Sequence, residues 1–188
     1  MDYTETGPRR MVQVVEYDPS WPEKFAQDRK LLSRTLPDAL AIEHIGSTSV
    51  PGLCAKPTLD ILIVVSSIDS FLVHEPALAD LGYEVRPGAF PEDAQHVFVR
   101  KMVDSCRTHH LHVLTQDSPR VEEYLLLRDY LRAHPSAVEE YAQLKLSLAV
   151  KYATDRNAYV EGKAGFVEDL NARAREWRTS ISIGCITP

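Results

Sequence analysis

The chain has 188 residues, 44% hydrophobic and 26% charged, so it is long and apolar enough to bury a core and is not a disordered tail. Its 21 Lys+Arg against 27 Asp+Glu give a net charge of -6, which argues against a broad nucleic-acid-binding surface. Three cysteines, Cys54, Cys106 and Cys185, share no C-x-x-C spacing, so neither a disulfide framework nor a cysteine zinc site is indicated. With no apolar signal-peptide core in the N-terminal MDYTETGPRR and no apolar run near the roughly 20 residues of a bilayer span, we expect a cytoplasmic protein without a membrane partner.

A helix and two strands are predicted in the first third of the chain. Ser20 followed by Glu23 is the capping-box pattern, so a helix is expected to begin there. Residues 41–45 predict a short strand that ends at a glycine. Residues 58–65 are nearly all apolar, with Asp60 as their only charge, and predict a strand covered on both faces.

A helix and a β-hairpin are predicted in the middle of the chain. The helix is expected over residues 68–81 and is shortened or kinked by Pro76. Residues 96–103 and 109–114 read as strands separated by a loop of hairpin length at 104–108, so they are expected to pair antiparallel.

The last third of the chain is predicted to be helical. Pro119 and Pro135 open two helices and Asp155 can cap a third, which ends near Trp177. We therefore expect an α+β fold: a small mixed β-sheet with flanking helices over residues 12–116, then a C-terminal helical part over 117–178 packed against it, with tails at 1–11 and 179–188.

The loop between the first two strands carries the strongest chemical signal. Gly46, Ser47 and Thr48 present backbone N–H groups and hydroxyls, which suit a phosphate; Ser47 is the better contact and Thr48 also fixes the turn. Lys56 adds a mobile cation, and Asp60 follows on a buried strand, where a carboxylate is costly unless it binds a metal or a partner. A plain turn capped by Asp60 is the alternative interpretation.

Histidines on a later strand could complete a site with Asp60. His110 and His112 face the same side of their strand and His109 faces away, so one carboxylate and two imidazoles converge if the two strands are neighbours. Such a set suits zinc, manganese or iron better than magnesium. Alternatively the histidines are neutral hydrogen-bonding groups, or one is a general base. Similarly, His44 could bind a phosphate, orient Asp60 or be structural.

Arg128 lies directly after three leucines and is expected to be a partly buried cation. Such a cation needs an anionic partner, which could be Asp129 or Asp169, or the phosphate of a ligand.

These motifs resemble the GrpB family, and the resemblance extends from Val14 to Trp177. The segments that carry it are Tyr17-Asp-Pro-Ser-Trp-Pro, His44-Ile-Gly-Ser-Thr-Ser-Val-Pro-Gly-Leu, Lys56-Pro, Asp60-Ile, His110-Leu-His-Val, Arg128-Asp-Tyr-Leu-Arg, Tyr159 and Lys163. The resemblance implies the nucleotidyltransferase superfamily with its polymerase-β-like fold. It also implies a link to dephospho-CoA kinase, to which some members are fused.

The superfamily pattern is a Gly-Ser turn, an acid on a following strand, a second acid two positions later and a third on a neighbouring strand. Gly46-Ser47 and Asp60 match this pattern. Leu62 occupies the position of the second acid, and histidines occupy the position of the third. The usual two-carboxylate magnesium clamp therefore cannot be built from these strands.

The resemblance also implies roles in the helical part, where superfamily members bring lysine and tyrosine to the nucleotide. Lys145, Tyr159 and Lys163 are the corresponding candidates, and solvated surface groups are the alternative. We therefore expect a nucleotidyltransferase that binds a nucleotide or another phosphate-bearing small molecule. Asp60 and His112 are its catalytic candidates, and a divalent metal (Mg, Mn or Zn) is a possible cofactor. The alternative is a non-catalytic binding module that regulates a partner such as a coenzyme A pathway kinase.

Overall fold

Five strands and six α-helices form the part of the chain that the structure describes. The computed structural model describes residues 11–90, 93 and 95–184. The helices are α1 Trp21–Thr35, α2 Ile68–Leu72, α3 Glu75–Asp80, α4 Pro119–Ala133, α5 Pro135–Lys151 and α6 Arg156–Gly184. The strands are β1 Ala41–Ile45, β2 Leu59–Val65, β3 Tyr83–Arg86, β4 His96–Val103 and β5 Cys106–Thr115, with a 3-10 turn at Ser47–Ser49.

The strands form one mixed sheet in the order β1-β2-β5-β4-β3. Its central pair, β2 and β5, is parallel, and the other pairs are antiparallel. In the parallel register Asp60 lies opposite His110, and Leu62 lies opposite His112. This confirms the predicted hairpin. It also confirms the condition on which the site hypothesis depended, that the histidine strand neighbours the strand of Asp60.

The β4–β5 hairpin is tighter than expected. Asp104 and Ser105 both have positive φ, 48° and 61°, as in the two-residue turns that match the twist of a hairpin. β5 therefore begins at Cys106 rather than near residue 109. Glycine usually marks such turns, and its absence hid this one. The edge strand β3, with only four residues, was not predicted.

The expected capping box at α1 is wrong. The Ser20 side chain makes no cap hydrogen bond. Instead Asp18 accepts from the Ser20 backbone N–H at 2.8 Å and from its hydroxyl at 2.6 Å. The Asp18 carboxylate, two residues upstream, thus binds the backbone N–H and the hydroxyl that Ser20 would have contributed to a capping box, as in an Asx turn.

The helix expected over 68–81 is divided in two, as Pro76 suggested. Ser67 caps α2 by accepting from the Ser70 backbone N–H at 3.1 Å. Pro76 lies in the first turn of α3, where its missing N–H has no helical partner to lose.

The C-terminal helix begins as expected and ends later. Asp155 caps α6 by accepting from the Ala158 backbone N–H at 3.0 Å. The helix continues to Gly184, so the expected end near Trp177 is wrong. Of the two expected tails, residues 1–10 and 185–188, including Cys185, lie outside the described residues.

Three apolar clusters hold the layers together. α1, α2 and α3 cover one face of the sheet, where Trp21, Leu32 and Phe71 are buried. α4 covers part of the opposite face through residues that pack on Leu62 and its neighbours. α4, α5 and α6 pack on one another and on Val50 of the glycine-rich loop. The predicted α+β class with a helical C-terminal part is confirmed. Among the described helices none has the length and apolar character that a membrane crossing requires.

Candidate functional site

The turn after β1 lies directly against the carboxylate of Asp60. Antiparallel pairing places Ile45 opposite Asp60, so the chain turns at that point. Gly46 has a φ of 67°, and a Cβ added to it would stand 2.5 Å from Oδ2 of Asp60. Only a residue without a side chain allows this approach. The Gly-Ser turn and the acid are therefore in direct contact.

Hydroxyl groups within the turn fix its shape. Ser49 donates from Oγ to the Gly46 carbonyl at 2.6 Å. Thr48 Oγ1 lies 2.9 Å from His44 Nε2, and the His44 ring stacks on Phe25 of α1 at 4.7 Å. These contacts use Thr48 and His44 inside the fold, which favours the structural alternative for His44 and the turn-fixing role of Thr48.

The side chain of His44 lies on the opposite face of the sheet from the side chain of Asp60. Side chains alternate along a strand, and β1 turns His44 toward α1 while Ile45 shares the face of Asp60. Burial, together with the nearby Arg132, lowers the pKa of His44 to about 4, so the ring is neutral at pH 7. His44 is a structural group that supports the turn from behind.

Lys145 of α5 reaches the turn from the helical part of the chain. Only 2% of its surface is exposed. Its Nζ donates to Ser47 Oγ at 3.1 Å and to the backbone carbonyl of Cys54, and it lies 4.5 Å from the Tyr141 ring centroid. Burial lowers the pKa of Lys145 to about 7. The solvated-surface alternative is therefore wrong for this residue.

Lys56 and Lys163 share the ring of Tyr159. Their Nζ atoms lie 5.4 Å and 5.0 Å from its centroid, and Tyr159 is 1% exposed. Burial lowers the pKa of Lys56 to about 8 and lowers the pKa of Lys163 as well. Cation–π contacts thus place both ammonium groups where their charge is poorly solvated.

Asp60 is the carboxylate whose field acts on all three lysines. Its side chain is 30% exposed, and Oδ1 lies 2.9 Å from Nδ1 of His110. Burial raises the pKa of Asp60, but the hydrogen bond and charge of His110 and the charge of Lys56 outweigh it and leave the pKa below its usual value. The carboxylate is therefore ionised at neutral pH.

The expected metal-ligand set of Asp60, His110 and His112 does not converge. Nδ1 of His112 lies 3.1 Å from Nε2 of His96 and 3.4 Å from the Tyr124 hydroxyl. Within the described residues no three His, Cys, Asp or Glu side chains are grouped as a metal site would require. The histidines therefore do not fit a zinc-type ligand set with Asp60.

The hydrogen bonds of His112 that the structure shows are to His96 and Tyr124, not to Asp60. Burial lowers the pKa of His112 to about 4, so it is a neutral ring within a small hydrogen-bonded group at neutral pH. His109 faces the other side of the sheet, as expected, where Nε2 lies 2.9 Å from Asp28.

Arg128 has carboxylate partners within the fold. Its Nε donates to Asp129 at 2.8 Å, and Nη1 donates to Glu43 at 2.8 Å and to the His44 carbonyl at 3.2 Å. The structural alternative is therefore correct, because Arg128 pairs with the expected Asp129. The expected phosphate contact of Arg128 is not supported. Glu43 of β1 is a second carboxylate partner, which was not predicted.

Three further residues contribute to the site. Arg132, one turn after Arg128, donates from Nε to the Ser49 carbonyl at 2.9 Å, so α4 holds the turn at both ends. Tyr141 precedes Lys145 by one helical turn, and that spacing is the signal that could have revealed it. The buried Cys54 contributes its carbonyl to Lys145, and its thiol is free.

The site thus combines a glycine turn and one carboxylate with the buried Lys145 and the partly buried Lys56 and Lys163 in an α+β fold. Comparison with known proteins agrees with its motifs. The profile of the GrpB protein family matches residues 11–173, and the chain belongs to this family.

Relatives and solved structures agree with this membership. The chain is 39% identical over 171 residues to the UPF0157 protein PA4798 of Pseudomonas aeruginosa, covering 87% of this chain and 67% of that protein. It is 35% identical over 175 residues to the UPF0157 protein YqkA of Bacillus subtilis, covering 91% of this chain but spanning only 49% of that protein. The crystal structure of conserved protein GrpB from Enterococcus faecalis superposes with a TM-score of 0.80 at 32% identity, covering 88% of this chain and 99% of that one.

Proposed function

We propose that this chain is a nucleotidyltransferase-like protein that binds a nucleotide or another phosphate-bearing small molecule at the Gly46 turn. The observation that carries the proposal is a group of three lysines near the turn: Lys145 bonds Ser47, Lys56 and Lys163 share the Tyr159 ring, and the field of Asp60 acts on all three. When fully protonated, the three lysines would exceed one carboxylate by two charges. A polyanionic ligand would supply the missing negative charge and return the lysines to their charged forms.

The geometry of the turn supports a phosphate as the anionic group. Gly46 is exposed and lies beside Ser47, so part of the backbone of the turn is open to a ligand. Lys145 already donates to Ser47. A phosphate oxygen in front of the turn would complete a cluster of hydroxyl and ammonium donors.

In this proposal a divalent cation would bind together with the ligand. Magnesium is commonly held by one or two carboxylates together with substrate phosphates, and Asp60 is the carboxylate at the turn. The expected histidine ligands do not fit, so metal dependence rests on Asp60 and the ligand alone.

Thermal unfolding in the presence of the four nucleoside triphosphates, each with and without magnesium or manganese, tests the proposal. A ligand at 100 times its Kd adds about 2.7 kcal/mol, which is a rise of roughly 5–10 °C in Tm for a chain of this size. Lys163→Met should remove the rise, while Lys30→Met, an exposed lysine on α1, should retain it. The absence of a rise with every combination would overturn the proposal.

Binding without transfer is a second candidate, favoured by Leu62. This residue stands where the superfamily has its second acid, and it is fully buried in the apolar cluster with Ile45 and Leu114. The chain is also 31% identical over 206 residues to the dephospho-CoA kinase of Mycobacterium tuberculosis, matching 92% of this chain and 48% of that protein. A binding module that acts with such a kinase would bind nucleotide and release no pyrophosphate. Detection of pyrophosphate release would favour the transferase over the binding module.

A further inference from the structure

We propose that Ser47 is a nucleophile and that Lys145 is the base that accepts its proton, so that the turn can take an activated phosphoryl group covalently. The inference deepens the proposed function, because it uses the same turn. It assigns Ser47 a reactive role in place of a simple phosphate contact.

The two side chains have the geometry of a nucleophile and its base. Nζ of Lys145 and Oγ of Ser47 are 3.1 Å apart, although 98 residues separate them in sequence. This distance lies within the range expected of such a pair. Ser47 is half-buried, next to the exposed Gly46, whereas Lys145 is enclosed behind it. A ligand can therefore reach the hydroxyl while the amine is shielded from water.

The surroundings of Lys145 allow its contact with Ser47 to reverse. An ammonium has three N–H donors and no lone pair, whereas the neutral amine has one lone pair. The Cys54 carbonyl accepts from Nζ in either form. Once Lys145 is neutral, the Ser47 hydroxyl can donate to Nζ, which is the arrangement that precedes proton transfer.

Both forms of Lys145 are populated near neutral pH. Its pKa is lowered to about 7, mainly by burial and also by Lys163 of α6, while Cys54 in the loop and Asp60 of β2 oppose the shift. The other titratable group that faces it is Tyr141 of α5, whose hydroxyl also hydrogen-bonds the Ser47 side chain. A base with a pKa near the working pH is the effective choice for general base catalysis.

The reaction is a displacement at phosphorus. Oγ of Ser47 forms a bond to phosphorus while the bond from phosphorus to the leaving group breaks, and the leaving group departs with that electron pair. The hydroxyl proton moves to Nζ of Lys145, which becomes an ammonium, and the leaving group departs as an anion. No oxidant or reductant takes part.

A fluorophosphonate probe tests the pair, because it loses fluoride to a nucleophilic serine. We expect one phosphonyl group per chain, mapped to Ser47 by mass spectrometry of the intact protein and its peptides. The labelling rate should rise about tenfold per pH unit and level off above pH 7, where the amine is free. Ser47→Ala and Lys145→Met should label at least about 100-fold more slowly. Ser33→Ala, which removes an exposed serine of α1, should label like the unchanged chain.

The absence of a Ser47 adduct at any pH between about 6 and about 9 would overturn the inference, as would labelling of Lys145→Met at the unchanged rate. Circular dichroism shows whether that variant is folded; if it is not, the pH profile of the unchanged chain decides, and a flat profile rejects Lys145 as the base. The two proposals fail separately. A Tm rise with nucleotide but no adduct leaves the binding function and rejects the nucleophile, and an adduct without any Tm rise does the reverse.

Discussion

A methyl group on Gly46 would stand 2.5 Å from Oδ2 of Asp60. Gly46 also has φ 67° and ψ -170°, a backbone region that is essentially restricted to glycine. Gly46→Ala should therefore strain the turn by about 1–3 kcal/mol and displace the carboxylate. We expect urea unfolding to show the lost stability and thermal unfolding to show the loss of any stabilisation by nucleotide.

Gly52→Ala is the matched control for this prediction. Gly52 has a φ of 80°, but nothing lies within 4 Å of its added Cβ. The control should suffer backbone strain and still bind nucleotide. Equal loss of binding in both variants would show that the close approach to Asp60 does not matter.

Stability should fall as the pH is lowered from about 6.5 to about 4. Burial lowers the pKa of His44, His96 and His112 to about 4, whereas an unfolded histidine titrates near 6.5. Between these values the unfolded chain binds protons that the folded chain does not, so acid favours unfolding. Urea unfolding at several pH values within this window measures the slope. His96→Gln should reduce the slope, and an unchanged free energy of unfolding across the window would contradict the expected histidine behaviour.

Arg128 should contribute to stability more than to ligand binding. Its side chain is 12% exposed and bonded to two carboxylates and a carbonyl, so Arg128→Gln should cost about 1–3 kcal/mol in urea unfolding. Arg173 also pairs with two carboxylates but is 39% exposed, so Arg173→Gln should cost less than about 1 kcal/mol. If Arg128→Gln abolished nucleotide binding in a chain of unchanged stability, Arg128 would belong to the ligand site.

Tyr159 should act through its ring rather than through its hydroxyl. Lys56 and Lys163 both contact the ring, and a phenylalanine offers the same aromatic face. Tyr159→Phe should keep the rise in Tm with nucleotide, whereas Tyr159→Leu should lose it together with about 1–3 kcal/mol of stability. Similar behaviour of the two variants in thermal unfolding would show that the ring does not hold the lysines.

The sequence could predict the pairing of Asp60 with His110 but not the destination of His112. Alternation along a strand placed both histidines on one face, and a neighbouring strand was enough to bring His110 to Asp60. The contact of His112 with His96 depends on the register of β4 against β5 and on rotamers. The spacing of residues within one segment specifies neither the register nor the rotamers.

Burial of the lysines was equally hidden from the sequence. Lysines on amphipathic helices are usually solvated, and nothing near Lys145 in sequence shows that its Nζ reaches a turn 98 residues earlier. The partnership of Arg128 with Glu43 is of the same kind, because 85 residues separate them. Local patterns specify which face a residue occupies, whereas these contacts depend on how α4 and α5 dock.

The parallel pairing of β2 with β5 determines when the site can exist. Strands that lie 50 residues apart, and helices that reach back further, must close long loops before any of these contacts forms, and such contacts form slowly. During synthesis on a ribosome the proposed anion site cannot be completed until residue 163 has emerged and α6 has docked. Ligand binding would therefore show that folding has proceeded as far as α6, and it would stabilise the state in which α6 is docked.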